Sequence, residues 1–185
     1  MIEQIVTNQY FLLALTFGIY QGAKMLQHRT QSILLNPILI TIGLVIVSIL
    51  ASQMMGCVVG IISVVVTARM LGASREVVAS LASKSVTTPI AMEVTQALGG
   101  IPSLTAAIVV ITGLIGGVVG FKLMAVGHIY NPMAKGLSMG AASHAVGTSV
   151  AMERDEFVGA YASLGLTLNG ILTAILTPTI VELMS

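Results

Sequence analysis

The sequence is 185 residues long, with 56% hydrophobic residues, 8% charged residues and a formal net charge of +1. An ordinary globular domain is about 25% charged, so this composition cannot supply a water-exposed surface. The near-neutral charge, the lack of a basic cluster and the absence of tryptophan argue against a nucleic-acid partner. The single cysteine, Cys57, excludes an internal disulfide and a metal site of several thiolates, and we expect neither a metal nor a cofactor.

Apolar stretches recur along the whole chain. They predict a single all-α membrane domain over residues 1–185, built as a polytopic transmembrane helical bundle. The first apolar run covers residues 10–25. No basic region precedes it and no small-residue cleavage pattern follows it, so we expect a retained first span rather than a secretory signal.

Three helix starts are marked by a polar residue directly followed by proline, where the polar side chain can cap the helix and the proline takes its first position. These starts are Asn36-Pro37, Thr88-Pro89 and Asn131-Pro132. A glycine pair at 99–100 followed by Pro102 predicts the end of one helix and the start of another. The predicted helices lie at about 9–27, 37–51, 56–71, 75–84, 89–98, 102–126, 132–142 and 149–182. The last is long enough to be interrupted near Gly159 or at Asn169-Gly170.

The apolar segment 33–70 is too long for one span. As one helix it would extend about 57 Å at 1.5 Å per residue, against a hydrocarbon core of about 30 Å. We therefore expect two spans with a turn at residues 52–56. The turn signal is poor, because that stretch has no proline, no charge and one glycine.

Residues 83–93 and 143–153 resemble each other at an offset of 60 positions, and six of the eleven positions are identical. The match continues without a gap into the apolar segments that follow. It predicts an internal repeat with units of about 72–127 and 132–185, preceded by spans in residues 1–71. Whether the two units are inverted or parallel stays open.

Each copy of the repeated motif combines a short helix, a polar stretch and a new helix start, at Thr88-Pro89 in the first copy and Thr148-Ser149 in the second. Matching broken or re-entrant helices in two halves of a transporter point to a substrate site near the membrane midplane. The free amide groups of a half-helix favour an anion. The candidate substrate-binding residues are Lys84, Ser85, Thr87, Thr88, Ser143, His144, Thr148 and Asn169.

Proton coupling has three candidates, His144, Glu93 and Glu153, of which the histidine titrates closest to neutral pH. Every candidate also has a structural interpretation. Membrane serines and threonines commonly bond to their own helix backbone or join helices, and Asn169 could do the same. Lys84 could extend from a helix end to the interface. The two glutamates could face water in the first turn of a helix.

The adjacent pair Ser143 and His144 does not predict a hydrolase, because neighbouring residues on a helix point about 100° apart. A catalytic triad would need its members from separate elements. The motifs G-x-S-x-G and H-E-x-x-H and a phosphate loop are absent from the sequence, so we expect no enzymatic activity.

Four motifs at 84–93, 99–102, 142–148 and 168–174, with Asn36-Pro37 before them, resemble the LrgB/CidB family of bacterial membrane proteins. The resemblance covers nearly the whole chain. It implies an antiholin-like or holin-like protein, multi-pass in the bacterial cytoplasmic (inner) membrane, that acts beside an LrgA/CidA-type membrane partner. A homo-oligomer is left open.

The chain also resembles the LrgB-like half of the plastidic glycolate/glycerate transporter, and bacterial relatives are linked to pyruvate and other small monocarboxylates. This resemblance agrees with the anion site expected from the repeat. The leading hypothesis is therefore a transporter for a small carboxylate anion, proton-coupled through His144 or Glu153. The alternative is an antiholin-like regulator of murein hydrolase release and autolysis.

Two departures from the family pattern stand out. Relatives carry a few dozen more residues before the first repeated motif, so a segment is expected to be missing near 51–55, by natural shortening or by deletion. Relatives also carry an arginine near position 150, where this chain has Val150. The second copy therefore lacks that positive charge.

Overall fold

The computed structural model describes residues 9–30 and 37–184, which form helices joined by short connections and contain no strand. Seven helices follow one another, and we number them in chain order. They are α1 (Gln9–Thr30), α2 (Pro37–Met70), α3 (Arg75–Ala82), α4 (Thr88–Ala97), α5 (Pro102–Val126), α6 (Pro132–Arg154) and α7 (Glu156–Leu183). The all-α prediction is confirmed.

The chain divides into two compact units, residues 1–51 and 52–185. The first contains α1 and the beginning of α2. The second contains the rest of α2 and all later helices, including both copies of the repeated motif. The predicted cap at Asn36 lies outside the described residues. The repeat boundaries stay a prediction, although each proposed unit has the same order of a short helix, a break, a second short helix and a long helix.

Helix α2 is continuous over 34 residues, so the predicted hairpin with a turn at residues 52–56 is wrong. At 1.5 Å per residue its length is about 51 Å. The stretch that was expected to turn contains no proline and only Gly56, and a lone glycine costs a helix only about 1 kcal/mol relative to alanine. Nothing in it therefore stops the helix.

Within the described residues, three helices, α2, α5 and α7, are long and apolar enough to cross a membrane. Large hydrophobic side chains are exposed along them, for example Val118 at 69% and Ile175 at 64%. Apolar faces of this kind can be covered by lipid tails, and the prediction of a helical membrane protein is confirmed. Helix α1 is not one of these three, so the predicted first span at residues 10–25 stays a prediction.

The first break separates α3 from α4. Ser83 follows the last turn of α3, and the chain is non-helical until α4 starts at Thr88. Thr87 is the N-cap of α4 and makes no side-chain capping bond, with proline in the first turn. The expectation that the Thr88 side chain caps this helix is therefore wrong by one residue. The predicted boundaries at Gly99-Gly100 are confirmed, since α4 ends at Ala97 and α5 begins at Pro102.

The second break lies inside α6 at His144, whose backbone angles are φ 40° and ψ −130°. The break was predicted between residues 142 and 149, but the helix resumes directly after His144. Thr148 and Ser149 therefore do not start a helix. They lie within one, and their hydroxyls donate to the carbonyls four residues earlier at 2.8 and 3.1 Å. This is the structural role that serine and threonine often have in membrane helices.

Helix α7 starts at Glu156, with the Asp155 side chain accepting from the Val158 amide at 3.0 Å. An interruption was predicted near Gly159 or at Asn169-Gly170, and these positions are wrong. The interruption lies at Asp155, because a capping aspartate ends one helix and begins the next. The start of α6 is as predicted, with Asn131 Oδ1 accepting from the Met133 amide at 2.9 Å.

Glycines allow close packing of α6 on α7. A Cβ atom added at Gly140 would collide with the carbonyl of Ala162, and one added at Gly165 would lie 2.5 Å from the carbonyl of Leu137. Small residues at such crossings let helix backbones approach closely in membrane proteins. Close packing of α6 on α7 therefore supports the second break, which lies within α6.

A chain of buried hydroxyls joins α3, α4 and α5. Thr95 Oγ1 lies 3.0 Å from Ser83 Oγ and 2.9 Å from Thr105 Oγ1, and all three side chains are fully buried. Thr105 also donates to the Ser80 carbonyl at 2.9 Å. Because each buried hydroxyl has partners, this polar cluster can hold the first break without an unsatisfied group.

Candidate functional site

The second unit contains a partly open cavity of about 510 Å³. Its walls come from α2, from the first break, from the part of α6 before His144 and from α7. The polar and thiol side chains that line it are Ser52, Gln53, Cys57, Lys84, Ser85, Ser138, Asn169 and Thr173. Small residues such as Gly56, Gly60 and Ala141 complete the wall and leave the space open.

Lys84 is the one charged residue among those that line the cavity. It lies in the first break together with Ser85, and both are partly buried. A lone ammonium group in a confined space is costly unless an anion neutralises it. The cavity therefore has the charge expected of a binding site for one small anion.

Asn169, on α7, connects the two breaks. Its Nδ2 donates to the backbone carbonyl of Ser85 at 2.7 Å and to that of Ala141 at 3.0 Å. The Ala141 carbonyl lies on the turn of α6 that His144 interrupts, and Ser85 is in the non-helical part of the first break. Broken helices leave such carbonyls without helical partners, and the asparagine supplies one. Asn169 is thus both a link between helices and part of the cavity wall.

His144 is buried at 4% exposure and is turned toward α5. Its Nε2 lies 2.9 Å from the Val109 carbonyl. A Cβ atom added at Gly113 would be 2.5 Å from His144 Cε1, so the imidazole rests directly on that glycine. The histidine ring therefore occupies a site on α5 and does not line the cavity.

The other second-copy candidates also lie away from the cavity. Ser143 is buried against Gly116 of α5. Thr148 bonds to the His144 carbonyl and, with Ser149, Met152 and Glu153, borders a separate recess of about 390 Å³. The structure therefore does not bring the eight predicted binding residues into one pocket.

Of the candidate binding residues in the first copy of the motif, only Lys84 and Ser85 line the cavity. Thr87 and Thr88 are partly buried at the start of α4 and are not among its lining residues. Glu93 is exposed on α4, and Glu153 is exposed near the end of α6. Of the predicted site, the cavity brings together Lys84, Ser85 and Asn169.

The contacts of the two breaks are reciprocal across the repeat. Val109 and Asn169 are 60 positions apart, as are Lys84 and His144. The α7 position, Asn169, bonds to Ser85 beside Lys84, and the α5 position, Val109, bonds to His144. Helix α7 therefore bonds to the first break and to Ala141 beside the second, while α5 bonds to the second break. At the second break the histidine fills the space on α5, whereas at the first break the cavity lies open beside Lys84.

Sequence reasoning missed the wall that α2 contributes. Gln53 has 7% exposure, and its Oε1 has no hydrogen-bond partner in the part of the chain that the structure describes. Cys57, interpreted as a small apolar filler, lies 3.3 Å from the Thr173 hydroxyl. These residues lie outside the repeated motifs, and the expected turn at 52–56 removed Gln53 from any helix. An isolated glutamine inside an apolar helix was the signal that could have identified it.

These features define a class of protein. It is a helical membrane protein in which two helix breaks lie close together, beside a polar cavity lined by one lysine. The model of the LrgB-like family matches residues 45–183. The chain belongs to this family, as its motifs predicted.

Individual relatives agree with this assignment. The chain is 36% identical over 135 residues to Holin-like protein CidB of Staphylococcus aureus, an alignment that covers 73% of this chain and 59% of the relative. It is 44% identical over 116 residues to an uncharacterised protein of Haemophilus influenzae, covering 63% of this chain and 50% of the relative. Protein YxaC of Bacillus subtilis is 34% identical over 137 residues, covering 74% and 60%.

The chain therefore spans between half and three fifths of the length of these relatives. No solved structure matches the chain.

Proposed function

We propose that this protein transports small monocarboxylates such as pyruvate or glycolate across the membrane. The observation that carries the proposal is the position of Lys84 as the one charge among the residues lining a polar cavity, beside two helix breaks that Asn169 joins. A carboxylate would neutralise the ammonium group, since no aspartate or glutamate is among the described residues that line the cavity. The amide groups and hydroxyls around it would then orient the anion.

Transport requires that the site face the two sides of the membrane in turn. The two breaks have similar sequences but different surroundings. Beside Lys84 the first break borders an open cavity, whereas at the second break the His144 side chain packs against Gly113 and leaves no such space. Rocking of one repeat against the other would exchange these arrangements. In this mechanism the His144 side chain breaks its contact with the Val109 carbonyl when the second repeat opens. His144 is then the residue that binds and releases the coupled proton. Glu93 and Glu153 are exposed and stay the secondary candidates.

The proposal includes a cellular setting. We place the protein as a multi-pass protein of the bacterial cytoplasmic membrane, acting with an LrgA/CidA-type membrane protein. The support is membership of the LrgB-like family and three helices that can cross a bilayer. Whether copies of the chain associate with one another is left to measurement.

The test is uptake of radiolabelled pyruvate and glycolate into proteoliposomes. Lys84→Ala is expected to lower uptake at least tenfold, since an interaction between a carboxylate and a poorly solvated cation contributes about 1.5–3 kcal/mol. Lys122→Ala is the matched control, because Lys122 is an exposed lysine on α5 away from the cavity. Unchanged uptake in a protein carrying both Lys84→Ala and His144→Ala would remove the basis of the proposal.

A second candidate function is regulation of murein hydrolase release, in which the protein modulates the assembly of its membrane partner. It is favoured by relatives named Holin-like protein CidB. This role needs an exposed helix face rather than a cavity, such as the α5 face that carries Ile115 and Val118. Loss of cross-linking to the partner and of autolysis control in I115N, with Lys84→Ala fully active in both assays, would support it over transport.

A further inference from the structure

Gln53 is the polar residue in the cavity wall that the repeat and the family motifs do not explain. It lies in the second unit, on the face of α2 that also carries Gly56, Cys57 and Gly60. The side chain is 7% exposed and lines the cavity, and no residue within 9–30 or 37–184 forms a hydrogen bond with its Oε1 atom. A glutamine at this position therefore needs a physical reason.

An unpaired amide inside a membrane protein is expensive. Burying such a group without a hydrogen bond costs about 1–3 kcal/mol in proteins, and an apolar residue of similar size would avoid that cost. Its neighbour one turn along α2 does not share the problem, because Cys57 pairs with the Thr173 hydroxyl at 3.3 Å. Gln53 is thus the unsatisfied member of this wall, and a buried unsatisfied group in a native protein needs an explanation such as a bound water, an ion or a functional contact. Because Gln53 lines the cavity, a ligand in the cavity can supply that contact.

We infer that Gln53 is a substrate-binding residue, which takes a second polar group of the same anion that Lys84 neutralises. The inference rests on the proposed function. It adds that the ligand has two functions: a carboxylate for the ammonium group, and a neutral oxygen such as a hydroxyl or carbonyl for the amide. The Oε1 atom accepts from a hydroxyl as it stands, and rotating the amide by about 180° brings Nε2 to the same place, where it donates to a carbonyl. A simple alkanoate would leave the Gln53 amide unpaired.

Lys84 and Gln53 have different roles because they lie on different walls of the cavity. Lys84 belongs to the first break and Gln53 to α2, so the charged and the neutral contacts come from different walls. Gly56 and Gly60 keep the α2 wall free of bulky side chains beside the amide. A site that hydrogen-bonds a substrate oxygen discriminates strongly against the analogue that lacks it. Gln53 would therefore set selectivity, and Lys84 would set affinity for the carboxylate.

The experiment measures binding to the purified protein in detergent, by isothermal titration with glycolate and acetate and with pyruvate and propionate. Each pair differs by one neutral oxygen. The parent protein is expected to bind glycolate and pyruvate more tightly than acetate and propionate. In Gln53→Leu this preference should fall by roughly three- to tenfold, the effect of one hydrogen bond, while acetate affinity is retained. Gln96→Leu, an exposed glutamine on α4, is the matched control.

Thermal unfolding of the same variants separates binding from a structural role. Because Gln53 Oε1 is buried without a partner among the described residues, Gln53→Leu is expected to keep or raise the melting temperature. A lower melting temperature together with an unchanged preference would show that Gln53 is structural and overturn the inference. Equal binding of glycolate and acetate by the parent protein would overturn the Gln53 assignment but leave carboxylate binding intact. Absence of binding by all four carboxylates would overturn the proposed function as well.

Discussion

The Asn169 side chain lies 2.7 Å from the backbone carbonyl of Ser85, although the two residues are 84 positions apart in the chain. The same amide group reaches the Ala141 carbonyl at 3.0 Å. One asparagine in the middle of α7 therefore satisfies backbone groups that both breaks leave free. At the second break, His144 Nε2 also lies 2.9 Å from the Val109 carbonyl of α5. These long-range bonds add to the hydroxyl cluster at the first break and attach both breaks to the long helices α5 and α7.

Asn169→Leu is expected to destabilise the protein by about 3 kcal/mol, because the buried carbonyls of Ser85 and Ala141 lose their donor. Thermal unfolding in detergent measures the effect. Thr167→Ala is the control, since the Thr167 hydroxyl is exposed and bonds within its own helix. An equal change in both variants would show that Asn169 contributes no more than an average polar group on α7.

The backbone at His144 lies in a region that L-amino acids rarely adopt, with φ 40° and ψ −130°. Such strain costs about 1–3 kcal/mol, and glycine avoids it. His144→Ala and His144→Gly both lose the imidazole contact with Val109. The glycine variant should nonetheless be the more stable of the two, by about 1 kcal/mol, which paired unfolding curves would detect. In a regular helix alanine is favoured over glycine, so a more stable alanine variant would contradict the break.

Gly113 makes room for the His144 imidazole. A methyl group there would approach His144 Cε1 to 2.5 Å and Nε2 to 2.9 Å, so Gly113→Ala forces the ring or α5 to move. Overpacking of this kind costs about 1–3 kcal/mol. Gly43→Ala is the control, because an added Cβ meets nothing within 4 Å there and should be neutral or stabilising. Equal melting temperatures for the two variants would mean that the ring does not occupy this position.

Local signals in the sequence predicted much of the fold. Proline and capping residues fixed the start of α6 at Asn131-Pro132, and the glycine pair with Pro102 fixed the passage from α4 to α5. The continuity of α2 was missed, because the argument from bilayer thickness was preferred over the absence of a helix stop. The predicted break between residues 142 and 149 includes His144, but the helix resumes directly after that residue and not at 149, since no residue type there indicates a positive φ.

The candidate site was only partly predictable. Lys84, Ser85 and Asn169 were found because they stand out as polar residues in repeated or apolar segments. The orientation of His144 toward α5 depends on Gly113 and Val109, which are unremarkable in sequence. Gln53 depends on which face of α2 meets the cavity. Tertiary packing decides such orientations, and the helical period alone does not.

Thr95 is the centre of the hydroxyl chain that supports the first break. Thr95→Val keeps the shape of the side chain but removes the contacts with Ser83 and Thr105, at 3.0 and 2.9 Å. Those two hydroxyls retain acceptors at the Ala91 and Ser80 carbonyls, so the expected loss is limited to about 1 kcal/mol. Unfolding curves of Thr95→Val and of the exposed Thr67→Val give the comparison. Because Thr95 does not line the cavity, the carboxylate affinity of Thr95→Val should stay within about twofold of the parent protein, or about 0.4 kcal/mol. If the loss of binding free energy exceeded the loss of unfolding free energy, the hydroxyl chain would instead set the position of Lys84.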